Sequence, residues 1–180
     1  MRTIPKIIEG LQPALIKEAR SMLLEDGGRA LTIRNVAARC HVAVGTVYNY
    51  FGSKDELMAH VMLEDWRSAL AAMHGAAREA PDVLAGLRSA YDILCGFDDM
   101  YRAAWRNYAA NNDAMNNIIR RHGLLIAQLT EVVSPLLERF DVTWDSYLPT
   151  FIAEMLLSAS IRGAGNYQQV LPILTRLVQP

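Results

Sequence analysis

Cysteine is scarce in this chain of 180 residues: only Cys40 and Cys95 occur, far apart and on helical patterns. Two isolated thiols exclude a disulfide scaffold and a zinc ribbon, and they suit a reducing compartment. No apolar run approaches the roughly 20 residues needed to cross a bilayer, so no membrane partner is expected. The opening MRTIPKIIEG has neither a continuous apolar h-region nor a small-residue cleavage site; no secretory signal is expected, and the reading is cytoplasmic. Strand-like alternation persists nowhere. Catalytic fingerprints are missing too: Ser158 and Ser160 have no G-x-S-x-G elbow to make a hydrolase with His122, and there is no P-loop or dinucleotide-binding motif. The expectation is a protein with no catalytic residues, no cofactor and no metal. What remains, at 52% apolar and 21% charged residues, is a globular chain with a sizeable core.

Charge is nearly balanced overall, with a net of -1, but unevenly placed. Residues 1–54 hold eight cations (Arg2, Lys6, Lys17, Arg20, Arg29, Arg34, Arg39, Lys54) against four anions, a surplus of four. Residues 55–180 hold ten cations against fifteen anions, a deficit of five. A basic head on an acidic body points to a polyanion met by the head alone, although four charges can also cluster by chance.

The apolar spacing is helical almost throughout. Gln12-Pro13 opens a first helix with Leu15, Ile16, Ala19, Met22 and Leu23 on one face, and Gly27-Gly28 stops it. Thr32 is placed to cap a short second helix with an inner face of Ile33, Val36 and Ala37. A turn at His41-Val42-Ala43 leads to a third short helix from about Val44 to Tyr50. Ser53-Lys54-Asp55-Glu56 reads as a capping box opening a long helix with Met58, Met62, Trp66, Leu70 and Met73 in a stripe. Beyond Pro81, one helix carries Leu84, Leu87, Tyr91 and Leu94, with a break expected at Asp98-Asp99 and another at Asn111-Asn112-Asp113. A long helix follows, with an interruption or kink expected at Ser134-Pro135. The last two helices are expected over about 144–162 and 167–178, with Pro149 and Pro172 awkwardly inside them. The division predicted is 1–54 and 55–180.

Residues 31–54, LTIRNVAARCHVAVGTVYNYFGSK, concentrate the chemistry. Val36, Ala37, Val42, Val47 and Phe51 can turn inward and set the angle between two short helices. That leaves Val44, Gly45, Thr46, Tyr48, Asn49 and Tyr50 on exposed or half-exposed faces. Such groups suit a groove of DNA: hydroxyls for phosphates, an amide for a base edge, small residues for close approach.

Residues 15–57 resemble the DNA-binding domain of the tetracycline-repressor (TetR/AcrR) family. The shared pattern runs without a gap through Ala19, Gly27, Leu31-Thr32-Ile33-Arg34, Val36-Ala37, Gly45-Thr46-Val47-Tyr48, Tyr50-Phe51, Ser53-Lys54 and Leu57. The resemblance implies an all-α chain: a three-helix DNA-binding head on a helical ligand-binding and dimerisation body. It implies phosphate anchoring by Thr32 and Lys54, backbone contacts from Tyr48 and Tyr50, guanine contact from Arg34, and base reading by Thr46 and Asn49. Ala43 departs from a usual capping serine, Val44 from a usual polar residue, His41 from a turn glycine and Tyr50 from a histidine. These departures bear on the operator sequence rather than the fold.

In the body, Tyr91, Phe97, Tyr101, Trp105 and Tyr108 cluster in the sequence. They read equally as core packing or as a pocket for a small amphipathic effector, with Asn111 and His122 as polar partners. The resemblance implies that the last two helices pair with their copies, making a homodimer on double-stranded DNA, and Phe151, Met155, Leu156, Leu171, Leu174 and Leu177 offer the apolar stripe for it. His60 and Glu64 share a helix face, but without a third ligand a solvated pair is the simpler reading. The function expected is a ligand-responsive transcriptional repressor. A small helical enzyme or carrier whose head does not bind DNA is the alternative, and an effector-independent regulator a third.

Overall fold

The computed structural model describes residues 8–26, 30–108, 114–143, 145–163 and 166–178, with side chains over those ranges apart from Asp26 and 103–122. The described elements are helices: α1 (Leu11–Asp26), α2 (Ile33–Arg39), α3 (Val44–Tyr48), α4 (Lys54–Glu79), α5 (Val83–Tyr108), α6 (Ala114–Arg139), α7 (Leu148–Ile161) and α8 (Tyr167–Val178). The chain divides into two compact units, Met1–Asp65 and Trp66–Pro180, so α4 supplies its first turns to one and its remainder to the other.

The first unit is built on the expected stripe of α1. Leu15, Ile16, Ala19, Met22 and Leu23 are all buried, and Leu31, Ile33, Val36, Ala37, Val47, Phe51, Leu57 and Val61 complete the core. The Arg20 guanidinium donates to the Asp65 carboxylate at 2.9 Å, joining α1 to α4. As predicted, Thr32 caps α2, its hydroxyl oxygen accepting from the Asn35 N–H at 3.0 Å. Ser53 caps α4 in the same way, accepting from Glu56 N–H at 3.0 Å. The Glu56 carboxylate reaches back to the Gly52 N–H at 2.8 Å, one residue further than the usual box.

In the second unit, Trp66, Met73, Leu87, Tyr91, Leu129, Leu136, Leu137, Ile152, Leu156 and Leu174 form one buried cluster. α7 packs against α5 and α6, and α8 against α5 and α7. α5 and α6 approach closely at Gly86, where an added Cβ would lie 2.6 Å from Leu136 Cδ1. The Arg139 guanidinium donates to the Ala77 carbonyl at 2.9 Å, tying α6 to α4.

Two expected breaks do not occur. α5 continues through Asp98-Asp99 because Arg102, one turn on, ion-pairs with both carboxylates and removes their mutual repulsion. α6 continues through Ser134-Pro135. Pro135 lies on the exposed side, while Val132, Val133, Leu136 and Leu137 around it are buried. That burial outweighs the one helix N–H that proline lacks. Pro149 is not awkward after all, because α7 begins later than expected and places it in the first turn, where its N–H is not needed. Asp145 accepts from the Tyr147 and Leu148 N–H groups at 2.9 and 3.1 Å and so defines that start. Pro172 does lie inside α8. The expected break at Asn111-Asn112-Asp113 lies outside the described residues.

Candidate DNA-contacting surface

α2 and α3 form the presenting unit. α2 ends in a tight turn: His41 adopts φ 55, the left-handed value that usually selects glycine, and its N–H bonds the Ala38 carbonyl at 3.1 Å. The Val42 N–H then bonds the Ala37 carbonyl at 2.9 Å, redirecting the chain into α3. α3 has only five residues, and Ala43 supplies it no side-chain cap. A helix of this length has no stability of its own. It is held by Val47 and Phe51, both fully buried in the head.

The consequence is a recognition helix whose remaining positions face outward. Val44 and Tyr48 are 39% and 53% exposed and lie one turn apart on the same side. Gly45 and Asn49 are exposed, and Thr46 and Tyr50 are half-buried. Thr32, Arg34 and Lys54 are exposed at the starts of α2 and α4. The cap bond of Thr32 uses an oxygen lone pair, which leaves its hydroxyl proton to donate to an acceptor such as phosphate.

Electrostatics separates the cations of the head. Arg20 is paired with Asp65, and Arg39 with Glu25 at 2.7 Å and Glu18 at 3.8 Å. The Arg39 hydrogen bond holds the Glu25 carboxyl below its ordinary range. Arg34 and Lys54 have no ion-pair partner among the described residues. Of the remaining described cations of the head, Lys17 is exposed on α1, while Arg34 and Lys54 stand in the first turns of α2 and α4, the helices before and after α3.

The Tyr50 hydroxyl is engaged within the chain. It donates to the Ile8 carbonyl at 3.1 Å and accepts from the Ile8 N–H at 2.6 Å. Phosphate oxygens only accept, and the single hydroxyl proton is already placed, so this tyrosine has none to offer the DNA backbone. Nothing in local spacing could reveal a bond between residues so far apart in sequence.

The aromatic residues of the body separate into two groups. Tyr91 is fully buried; its ring packs on Tyr167 at 5.0 Å and its hydroxyl donates to the Gly163 carbonyl at 2.8 Å. Burial, helped by the neighbouring Cys95 thiol, pushes its phenol up to about 12. Tyr101 instead packs on Phe97, which packs on Trp66, and the Trp66 indole N–H donates to Gln128 at 2.7 Å. The sequence places Trp66 only in the apolar stripe of α4 and gives no sign of its bond to Gln128, because each belongs to a different helix. The side chains of Trp105, Tyr108 and His122, and Asn111 altogether, lie outside the described residues.

Of the apolar stripe assigned to pairing, Leu156 and Leu174 are 1% and 0% exposed within a single chain, so both are core residues. Phe151 is exposed, and Met155, Leu171 and Leu177 are half-buried. Phe151, Met155 and Val170 line a groove of about 300 Å³ on α7 and α8, with Glu154, Arg162 and Gln169 as its polar members. Cys95 is buried and Cys40 half-buried, and desolvation raises both thiols. Among the described residues no group of three candidate metal ligands occurs; His60 packs on Phe51 and its Nδ1 lies 2.9 Å from the Glu56 carbonyl.

A short capped helix, a left-handed turn, a second short helix with an outward polar face and a long capped helix define a helix-turn-helix protein. Residues 15–61 match the family described as bacterial regulatory proteins, tetR family. The HTH-type transcriptional repressor Rv3405c of Mycobacterium tuberculosis is 36% identical over 61 residues, 34% of this chain and 32% of that protein. The regulator HbdR of an Aromatoleum species is 34% identical over 56 residues, 31% of this chain and 24% of that protein. The similarity thus spans about a third or less of these relatives. In fold it extends across nearly the whole chain. GusR of Salmonella enterica superposes with a TM-score of 0.67 at 19% identity, covering 97% of this chain and 100% of that one. A tetR-family regulator of Pectobacterium atrosepticum gives a TM-score of 0.73 at 17% identity, covering 96% of each.

Proposed function

We propose that this protein is a transcriptional repressor of the cytoplasm that binds a partly palindromic operator as a homodimer and is released by a small amphipathic effector. The observation that carries the DNA reading is that Arg34 and Lys54, without ion-pair partners among the described residues, are exposed in the first turns of α2 and α4, the helices before and after α3. Lys54 and Thr32 anchor phosphates, Arg34, Thr46 and Asn49 read base edges, and Val44 meets a thymine methyl. Tyr48 lies along the sugar-phosphate backbone.

One five-residue helix reads few base pairs, so two must lie about 34–36 Å apart on one face of the duplex. The exposed Phe151 with half-buried Met155, Leu171 and Leu177 supports pairing through α7 and α8. The Trp66–Phe97–Tyr101 rings with Gln128 support a site for the effector in the second unit, because they join apolar walls to a polar tip. α4 contributes to both units and is the natural carrier of the signal. The effector acts only through a difference in affinity for the two states, and operator DNA must weaken its binding by the same factor.

Selection of bound duplexes from a random pool by the purified protein tests the reading. A two-fold symmetric consensus whose affinity falls steeply with salt is expected, and Lys54→Ala should lower affinity and salt slope alike for all sequences. A pool that shows no enrichment would favour the carrier or enzyme alternative.

A further inference from the structure

Burial settles which face of α7 looks inward: Ile152, Ala153, Leu156, Leu157, Ala159 and Ser160 are all buried within the chain. Phe151, Glu154, Met155, Ser158, Ile161 and Arg162 recur at helical spacing between them and share the opposite face. Phe151 and Ile161 are 42% and 58% exposed, apolar surface that the chain itself leaves uncovered. All of these except Ile161 also line the groove of about 300 Å³ on α7 and α8. Glu154 and Arg162 are its charged members among the described residues. The Arg162 guanidinium has no ion-pair partner among those residues. The Glu154 carboxylate accepts from the Tyr147 hydroxyl at 3.1 Å, which leaves it lone pairs for a further donor.

The two charges are placed symmetrically about Ser158. Glu154 lies four residues before it and Arg162 four residues after it. Each is therefore about 6 Å from Ser158 along the helix axis. A two-fold axis through Ser158, perpendicular to α7, sets Glu154 of one copy opposite Arg162 of the other, and does so twice. The same operation sets Met155 opposite Ile161, and Ser158 opposite itself, where a short side chain lets two helices come close. A two-fold axis parallel to α7 instead sets Glu154 against Glu154 and Arg162 against Arg162, and such like-charge contacts disfavour the pairing. The face is thus complementary to itself in the antiparallel orientation. We propose, resting on the reading of the protein as a homodimer, that two copies of α7 cross antiparallel at Ser158. The Glu154–Arg162 pair, formed twice, fixes the register of the interface and restricts the partner to a chain with the same charge order.

The test is a charge exchange in the full chain, with the dimer dissociation constant read by sedimentation over a dilution series. Glu154→Arg and Arg162→Glu, each alone, bring like charges together at both contacts and are expected to raise that constant at least about tenfold. E154R/R162E in one chain restores opposite charges and should return it to within about threefold of wild type. Because the double variant also lacks the Tyr147 bond, its recovery separates pairing from any effect of that bond on folding. Mixed in equal amounts, the two single variants should prefer each other, with heterodimers exceeding homodimers in native mass spectrometry. A wild-type dimer that neither single variant weakens would overturn the proposal and leave the homodimer reading intact. So would weakening by both single variants with no recovery in the double variant, since the two residues would then act separately. A wild-type chain that stays monomeric at micromolar concentration would instead overturn the homodimer reading and the proposal with it.

Discussion

The head and the body of this chain put their conspicuous residues to opposite uses. In the head, Val44 and Tyr48 stand at the surface of a five-residue helix and Asn49 just past its end, while Val47 is its one buried residue. In the body, Tyr91 and Tyr101 belong to a 26-residue helix and are fully buried, with the Tyr91 hydroxyl bonded to a carbonyl of the same unit. A five-residue helix that buries one side chain leaves any aromatic at its other positions to meet solvent or a partner. A long helix packed on several sides absorbs its aromatics into the core. A cluster of rings in a sequence therefore points outward or inward according to the length of the element that carries it.

The sharpest way to break this contrast is at Leu174. As a core residue, Leu174→Ala should cost about 2–5 kcal/mol in urea unfolding. Phe151→Asp, on the exposed side of the neighbouring helix, should change stability by less than about 0.5 kcal/mol. In light scattering it should nonetheless shift the protein toward monomer. Equal stability losses for the two would erase the distinction between core and pairing face.

The two units also differ in what glycine does. Gly86→Ala places a methyl against Leu136, which is itself buried, and overpacking of this kind costs about 1–3 kcal/mol. At Gly45 nothing lies within 4 Å of an added Cβ. Gly45→Ala should then stabilise the head by about 0.5–1 kcal/mol in thermal unfolding and weaken operator binding, because the methyl intrudes where DNA approaches. A variant that gained stability without losing affinity would show that α3 does not approach DNA at this residue.

The inward role of Tyr91 has a signature in pH. Its ordinary value near 10 applies to the unfolded chain, and the folded value of about 12 means that folding favours the neutral phenol. The resulting stability is complete below pH 10 and is lost as pH rises through 12. Tyr91→Phe, which cannot ionise, should be less stable than wild type by about 1 kcal/mol at pH 8 through loss of the Gly163 bond. That gap should close as denaturation is repeated toward pH 12; a constant gap would mean that the phenol is not shielded.

Legibility from the sequence follows the same division. The caps at Thr32 and Ser53, the turn at His41 and the inner face of Val36, Ala37, Val47 and Phe51 are local patterns, readable within a few residues. Asp98-Asp99 misled, as did the interruption expected at Ser134-Pro135, because what carries the helix through them is supplied elsewhere, by Arg102 in one case and by burial of flanking residues in the other. The α7–α8 stripe misled for a related reason. Helical spacing shows that Leu156 and Leu174 share a side with their neighbours, but not whether that side meets its own chain or another. The Tyr50–Ile8 bonds and the Trp66–Gln128 bond join distant segments and leave no mark on either one.

Because α3 is held by Val47 and by Phe51 beyond its end, its exposed positions carry little duty to folding. Val44, Thr46 and Asn49 can be exchanged without disturbing the framework made by Val47, Phe51 and the His41 turn. Preference for a DNA sequence can then drift, or be rewritten by design, one exposed residue at a time, with each intermediate still a folded protein. The smallest helix of the molecule is in this sense its most freely editable one.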